Sequence, residues 1–131
     1  MIVCVDFDGT IVDHAFPEIG KPVPGAIKWM QEWDKLGIKI ILHTMRSDGQ
    51  ESGDVLTQAV MYLNNNGIML FGINENPEQH TWTSSPKPYG HVYVDDAAYG
   101  CPLNNFQGYN RQCVNWDIVG PSIIALYKAS L

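Results

Sequence analysis

Two rhythms of apolar and polar positions run along this chain. Ile2-Val3-Cys4-Val5 is a short apolar run that ends in Asp6-Phe7-Asp8-Gly9-Thr10, the pattern of a buried strand closing in a polar turn. Between Gly25 and Leu36, the residues Ile27, Met30, Trp33 and Leu36 recur at steps of three, which predicts a helix with one apolar face, stopped by Gly37. Ile38 to His43 reads as a second strand. Val55 to Asn65 reads as a second helix, with Val55, Ala59, Tyr62 and Leu63 near one face and Asn66-Gly67 as its stop. Ile68 to Phe71 is a third short strand, residues 74–90 are loop-forming in their Pro, Asn and Ser content, and His91 to Val94 is a fourth strand. Beyond Asp96 the pattern predicts mostly loop, a strand around Val114 or Ile118, and a last helix from Pro121 to Lys128 with its proline in the first turn.

Strands alternating with helices predict an α/β fold. The expected form is a three-layer, Rossmann-like, mainly parallel sheet with right-handed crossovers and helices on both faces. Sites in such sheets lie at the carboxyl ends of the strands. Asp6, Asp8, Thr44, Asp95 and Asp96 all fall there. On an extended segment Asp6 and Asp8 share a face, with Phe7 on the other. Two anions that close require a cation, a shared proton or ample water, and a divalent ion meets the need most simply. The plainer alternative is an Asp-x-Asp-Gly turn closing a strand.

The chain resembles the haloacid dehalogenase superfamily, whose phosphatase members open with Asp-x-Asp-Gly-Thr. The resemblance extends over four motifs between residue 2 and about residue 96. Asp6-Phe7-Asp8-Gly9-Thr10 ends the first strand, Thr44 the second, Lys87 precedes the fourth, and Asp95-Asp96 end the fourth. It implies a first strand that is central, with the second and third on one side and the fourth on the other. It implies a phosphomonoesterase in which Asp6 attacks phosphorus to give an aspartyl-phosphate and Asp8 carries protons. Mg²⁺ would be held by Asp6, Asp95 and Asp8, the last through its backbone carbonyl, with Asp96 either a direct ligand or one acting through water. Thr44 and backbone N–H groups near Gly9 and Thr10 would hold phosphate oxygens, and Lys87 would offset charge in the transition state. Asp8 argues against dehalogenation, which has no leaving oxygen to protonate.

Other roles remain open at this level. Thr44 is equally a cap or strand-end residue, Lys87 between two prolines a solvated loop lysine, and Arg46 either a substrate ligand or the partner of an acid. His14 and His43 lie near the expected cleft, and Trp82 is the one tryptophan in a segment suited to lining a pocket. The stretches 13–24 and 45–86, where the family inserts caps, are too short or too full for one. A capless member has an open cleft, suited to a large substrate or to walls lent by a homo-oligomer.

Composition narrows the classes. With 131 residues, 45% of them apolar, the chain suits one domain with a single core. A net charge of -6 with eight Lys and Arg argues against an extended nucleic-acid surface and fits a small phosphorylated substrate met by a metal and one or two basic groups. No apolar run reaches membrane-spanning length and no signal-like segment is visible, which predicts a cytoplasmic protein without a membrane partner. Cys4, Cys101 and Cys113 have neither disulfide nor zinc spacing, and Cys4 is expected in the core. Two further readings are a domain that binds a phosphorylated ligand or partner without turnover, and a phosphotransferase to an acceptor other than water.

Overall fold

The computed structural model describes residues 1–131, apart from the side chain of Gln50. The first apolar run forms β1 (Ile2–Val5), followed by α1 (Ala26–Lys35), β2 (Lys39–Leu42), α2 (Val55–Asn65), β3 (Leu70–Ile73) and β4 (Val92–Val94). The chain ends with β5 (Leu103–Asn104), β6 (Cys113–Val114) and α3 (Trp116–Ala129). The main sheet has the order β3-β2-β1-β4, with every neighbouring pair parallel. β5 and β6 form a separate antiparallel pair. The molecule is thus a mixed α/β protein with a four-stranded parallel sheet and three helices.

Helices on both faces are expected from the alternation, but the three helices share one face. Val3 and Val5 of β1, Ile40 and Leu42 of β2 and Val94 of β4 join Met30 and Trp33 of α1, Ala59 and Leu63 of α2, and Trp116 and Ile123 of α3 in one core. The strand order explains this. The steps from β1 to β2 and from β2 to β3 run in the same direction, so right-handed crossovers place α1 and α2 on the same side. The step from β3 to β4 runs the other way and crosses the opposite face. Residues 74–91 make that crossing with one short helical turn, Gln79–Thr81, and lie over Cys4 and its neighbours. Cys4 is buried, its Sγ 3.9 Å from the Pro88 carbonyl, and Gly90 approaches it too closely to admit a side chain. Burial raises the Cys4 thiol to about 11, partly opposed by the nearby Lys87 charge.

The ends of α1 and α2 explain two shifts in strand boundaries. Gly37 and Gly67 adopt φ of 85° and 73°, and the N–H groups of Ile38 and Ile68 donate back to Trp33 and Leu63. Each helix therefore closes in a Schellman motif that occupies the first apolar residue of the next run. The third strand, expected over Ile68 to Phe71, accordingly starts at Leu70. The last helix starts five residues before the expected Pro121, which lies inside it. Trp116 decides this: its ring is fully buried against Trp33 at 5.2 Å, and its Nε1 donates to the Thr10 carbonyl at 2.7 Å. Burying an indole outweighs the backbone hydrogen bond that Pro121 cannot make. The strand near Val114 is present as β6, whereas Ile118 is helical. Among the described residues no helix is long and apolar enough to cross a membrane.

Candidate active site

β1 and β4 bring their carboxyl ends together because Asp6 N–H donates to the Val94 carbonyl at 2.9 Å, continuing the parallel ladder by one residue. Asp6, Asp95 and Asp96 consequently offer carboxylate oxygens that all lie within 4.8 Å of one another. Burial, then the Asp95 charge and contact with Asp96, pushes the Asp6 carboxyl up to about 8. A buried acid so reluctant to ionise beside two others is a site whose charge balance favours a cation. An all-oxygen donor set suits a hard ion such as Mg²⁺.

Thr10 ties the two segments together. Its hydroxyl is fully buried, lies 3.3 Å from Asp6 Oδ2 and 3.4 Å from Asp96 Oδ1, and accepts the Asp96 N–H at 3.1 Å. The expectation that N–H groups of Gly9 and Thr10 face a phosphate is not met, since they donate to the carbonyls of Val12 and Phe7. Gly9 has a φ of 85° and lies against the His14 ring and the Asp96 carboxylate, so no side chain fits there. His14 Nε2 lies 3.4 Å from Asp96 Oδ2 and 3.2 Å from the Gln112 carbonyl, so the imidazole closes one side of the acidic cluster. Both neighbours are acceptors, which places a proton on Nε2.

Asp8 departs from the expected arrangement. The strand ends at Val5 and the chain turns, with Ile11 N–H donating to Phe7 O at 2.8 Å, so the alternation of an extended segment does not carry through to residue 8. Phe7 is buried in the helix-side core, and the Asp8 carboxylate points away from the acidic trio to Arg46. Arg46 Nε donates to Asp8 Oδ2 and Nη2 to Oδ1, both at 2.8 Å. The guanidinium also donates to the carbonyls of Pro17, Glu18 and Val55. All five of its N–H groups are committed, and its centre lies 5.0 and 5.2 Å from the rings of Phe7 and Phe16. The Arg46 side chain is 1% exposed and that of Asp8 22%. Of the two roles open to Arg46, pairing with an acid is the one adopted; as the molecule stands it has no donor left for a ligand.

Thr44 N–H donates to Asn74 Oδ1 at 2.8 Å, and the Thr44 hydroxyl accepts the Arg46 N–H at 3.1 Å. Asn74, at the carboxyl end of β3, has a left-handed φ of 54°. Sequence reading passed over it; its signal was an asparagine directly after an apolar run, where αL conformations favour Asn. Asp13 was also missed. It is buried and accepts N–H groups of His14 and Asn110, both at 2.8 Å, fixing the loop of residues 106–112 beside the site. Burial alone would raise its carboxyl, but the backbone donors of Asn110 and His14 hold it below the usual range. Lys87 stands apart from the acids, with its Nζ 5.1 Å from the Tyr93 ring centroid and no carboxylate within 4.0 Å among the described residues. His43 meets Tyr93 ring to ring at 6.1 Å.

Fold and site define a parallel α/β protein whose central strand delivers an acidic cluster that could hold a metal ion. No family model matches the chain, and no curated protein matches it. A solved structure of a conserved protein from Bacteroides thetaiotaomicron is similar at 27% identity, with 95% of this chain and 90% of that one covered and a TM-score of 0.72. Its description names no activity.

Proposed function

We propose that this protein is a Mg²⁺-dependent phosphomonoester hydrolase of the haloacid dehalogenase superfamily, capless and Rossmann-like in fold. The observation that carries this reading is the meeting of Asp6, Asp95 and Asp96 at adjoining ends of β1 and β4. These three would hold the ion, which supplies charge neutralisation between an anionic nucleophile and a phosphate. A carboxylate oxygen of Asp6 bonds to phosphorus as the bond to the leaving oxygen breaks; water then attacks the phosphorus, releases phosphate and restores Asp6. Asp8 leaves the Arg46 fork to carry protons, giving one to the leaving oxygen and taking one from the water. Thr10 and His14 hold Asp96 in place, and Lys87 leaves its place over the Tyr93 ring to reach the phosphate. Phosphate release from an aryl phosphate with Mg²⁺ tests the reading. Asp6→Asn should abolish it, and turnover equal to that of the parent protein would refute the nucleophile.

The closed Arg46–Asp8 fork favours a second reading, a domain that binds a phosphorylated ligand without turnover. Calorimetric binding of a phosphomonoester with no phosphate released over hours would select it over the hydrolase.

A further inference from the structure

Phe16 is 53% exposed, and a half-exposed phenylalanine on a surface loop means little by itself. Its neighbours give it meaning. The Phe16 ring centroid lies 5.2 Å from the guanidinium carbon of Arg46, and the same guanidinium holds the two oxygens of Asp8, each at 2.8 Å. Fully buried Phe7 meets that guanidinium from the core at 5.0 Å. With one face of its ring turned to Arg46, Phe16 leaves the other face to solvent. The Arg46 side chain is 1% exposed and that of Asp8 22%. Two groups that a ligand can touch around this ion pair are therefore the Asp8 carboxylate and the outer face of Phe16.

The ring is held where it stands. Arg46 donates to the carbonyls of Pro17 and Glu18, the two residues after Phe16, at 3.3 and 2.9 Å. On one side of Phe16, the His14 carbonyl accepts from Asn110 Nδ2 at 2.7 Å; on the other, the Tyr109 hydroxyl donates to the Pro22 carbonyl at 2.6 Å and Lys21 Nζ to that of Gly108 at 2.9 Å. The loop of residues 13–22 is thus tied at both ends to residues 108–110 and in its middle to the first motif. A flat apolar surface on such a frame loses little freedom when something covers it.

Through the guanidinium they share, the Phe16 ring centroid is no more than about 9 Å from an Asp8 oxygen. On the hydrolase reading Asp8 passes its proton to the oxygen that leaves phosphorus, so the alcohol part of the substrate lies against Asp8 with that oxygen in hydrogen-bond reach. Two aromatic rings pack with centroids about 4.5–7 Å apart. A ring lying on Phe16 is then only a few bonds from the ester oxygen. We propose that Phe16 is the specificity-determining residue for the leaving group, and that the substrate is a phosphomonoester whose alcohol carries an aromatic ring close to the ester oxygen. The inference rests on the hydrolase reading for the part Asp8 plays, and on the stack of Phe16 on Arg46 alone for the aromatic surface.

Phosphate release with Mg²⁺ is compared between phenethyl phosphate and ethyl phosphate, whose alcohols are alike in acidity, so that the ratio reports contact with the ring and not ease of leaving. A contact between two rings corresponds to about 2- to 12-fold beyond the area it covers. With that area included, kcat/KM should favour the phenethyl ester by about tenfold or more. Phe16→Tyr should keep the ratio. Phe16→Leu, which keeps an apolar cover over Arg46 but presents no ring, should lower it severalfold. Equal kcat/KM for the two esters in the parent protein, or an undiminished ratio in Phe16→Leu, would overturn the assignment. Binding separates the subsite from the chemistry. Phenylpropylphosphonate and propylphosphonate, the same pair with carbon in place of the ester oxygen, are titrated calorimetrically into the parent protein and Phe16→Leu with Mg²⁺. Affinity that depends on the ring and falls in Phe16→Leu, with no phosphate released from either ester, would refute the hydrolase and retain the subsite. Affinity indifferent to the ring would overturn the subsite whatever the activity.

Discussion

Asp6→Asn should make the metal-free protein more stable while removing its response to Mg²⁺. Burial and the charges of Asp95 and Asp96 raise the Asp6 carboxyl from 3.8 to about 8. An acid whose folded pKa is raised binds more protons in the native state than in the unfolded state, so its contribution is most favourable at low pH and declines as pH rises from about 4 to about 8. At pH 7 the gap above 3.8 is roughly three units, and at 1.36 kcal/mol per unit the native state bears up to about 4 kcal/mol for keeping this side chain among its neighbours. Asparagine has the shape of the neutral acid and no such burden. We expect a gain of about 2–4 kcal/mol for the variant in EDTA at pH 7, or roughly 10 °C in Tm for a chain of this size. The difference should shrink toward pH 4 and level off above pH 8. Millimolar Mg²⁺ should raise the Tm of the parent protein, because binding to the ionised trio stabilises the native state alone, and should leave the variant unmoved. Thermal unfolding followed by circular dichroism across this pH range, with and without Mg²⁺, checks both halves. A variant no more stable than its parent in EDTA, or equal Mg²⁺ shifts in the two proteins, would refute the account of the cluster.

Removing the Arg46 guanidinium by Arg46→Met should cost about 3 kcal/mol in urea unfolding, since it leaves Asp8 and three backbone carbonyls without their donors. Arg46→Lys should recover little of it, lacking the planar fork. Thr10→Val keeps the shape but leaves the Asp96 N–H unpartnered, and should lower stability by about 1–3 kcal/mol together with Mg²⁺ affinity read by calorimetry. Mg²⁺ affinity of the parent protein should climb with pH and flatten near 8, with proton release visible as a dependence of the calorimetric heat on the buffer's ionisation enthalpy.

The parallel ladder and the strand ends were readable because each depends on local patterns. Apolar runs ending in Asp6 and Asp95, and helices ending at Gly37 and Gly67, are short-range signals. The shared face of the helices was not readable from alternation alone, since it follows from strand order, which places the β3-to-β4 crossing on the far side. One site residue, Asp8, and one helix start shifted for a similar reason. Period-two reasoning put Asp8 beside Asp6, but the turn that buries Phe7 rotates Asp8 toward Arg46, 38 residues away in the chain. Pro121 misplaced the start of α3 because proline's local preference was weighed without the burial of Trp116, a long-range effect. Asn74 and Asp13 act by hydrogen bonds to backbone groups of loops, contacts that no periodicity encodes.

The acids of the first motif thus divide their work. Asp6 joins two other carboxylates with no Lys or Arg nitrogen within 4.0 Å of them among the described residues, His14 on Asp96 being their basic neighbour, and Asp8 takes the buried Arg46 for itself. If Arg46 stood over the trio, it would supply locally the charge that a metal supplies, and a cation would gain little there. Placed instead on Asp8, it leaves the trio with His14 alone beside it and binds residues 17, 18 and 55 to the first motif through their carbonyls. On the hydrolase reading, the same fork sets the condition for proton transfer by Asp8. Both oxygens of Asp8 accept from a guanidinium packed between Phe7 and Phe16, so handing a proton to a leaving group requires breaking two charge-assisted hydrogen bonds. A substrate that contacts the loop at Pro17 and Glu18 is in a position to supply that work, since those carbonyls share the same guanidinium. On the hydrolase reading, binding on the loop and proton transfer at Asp8 would then be one event, with Arg46 as the common partner.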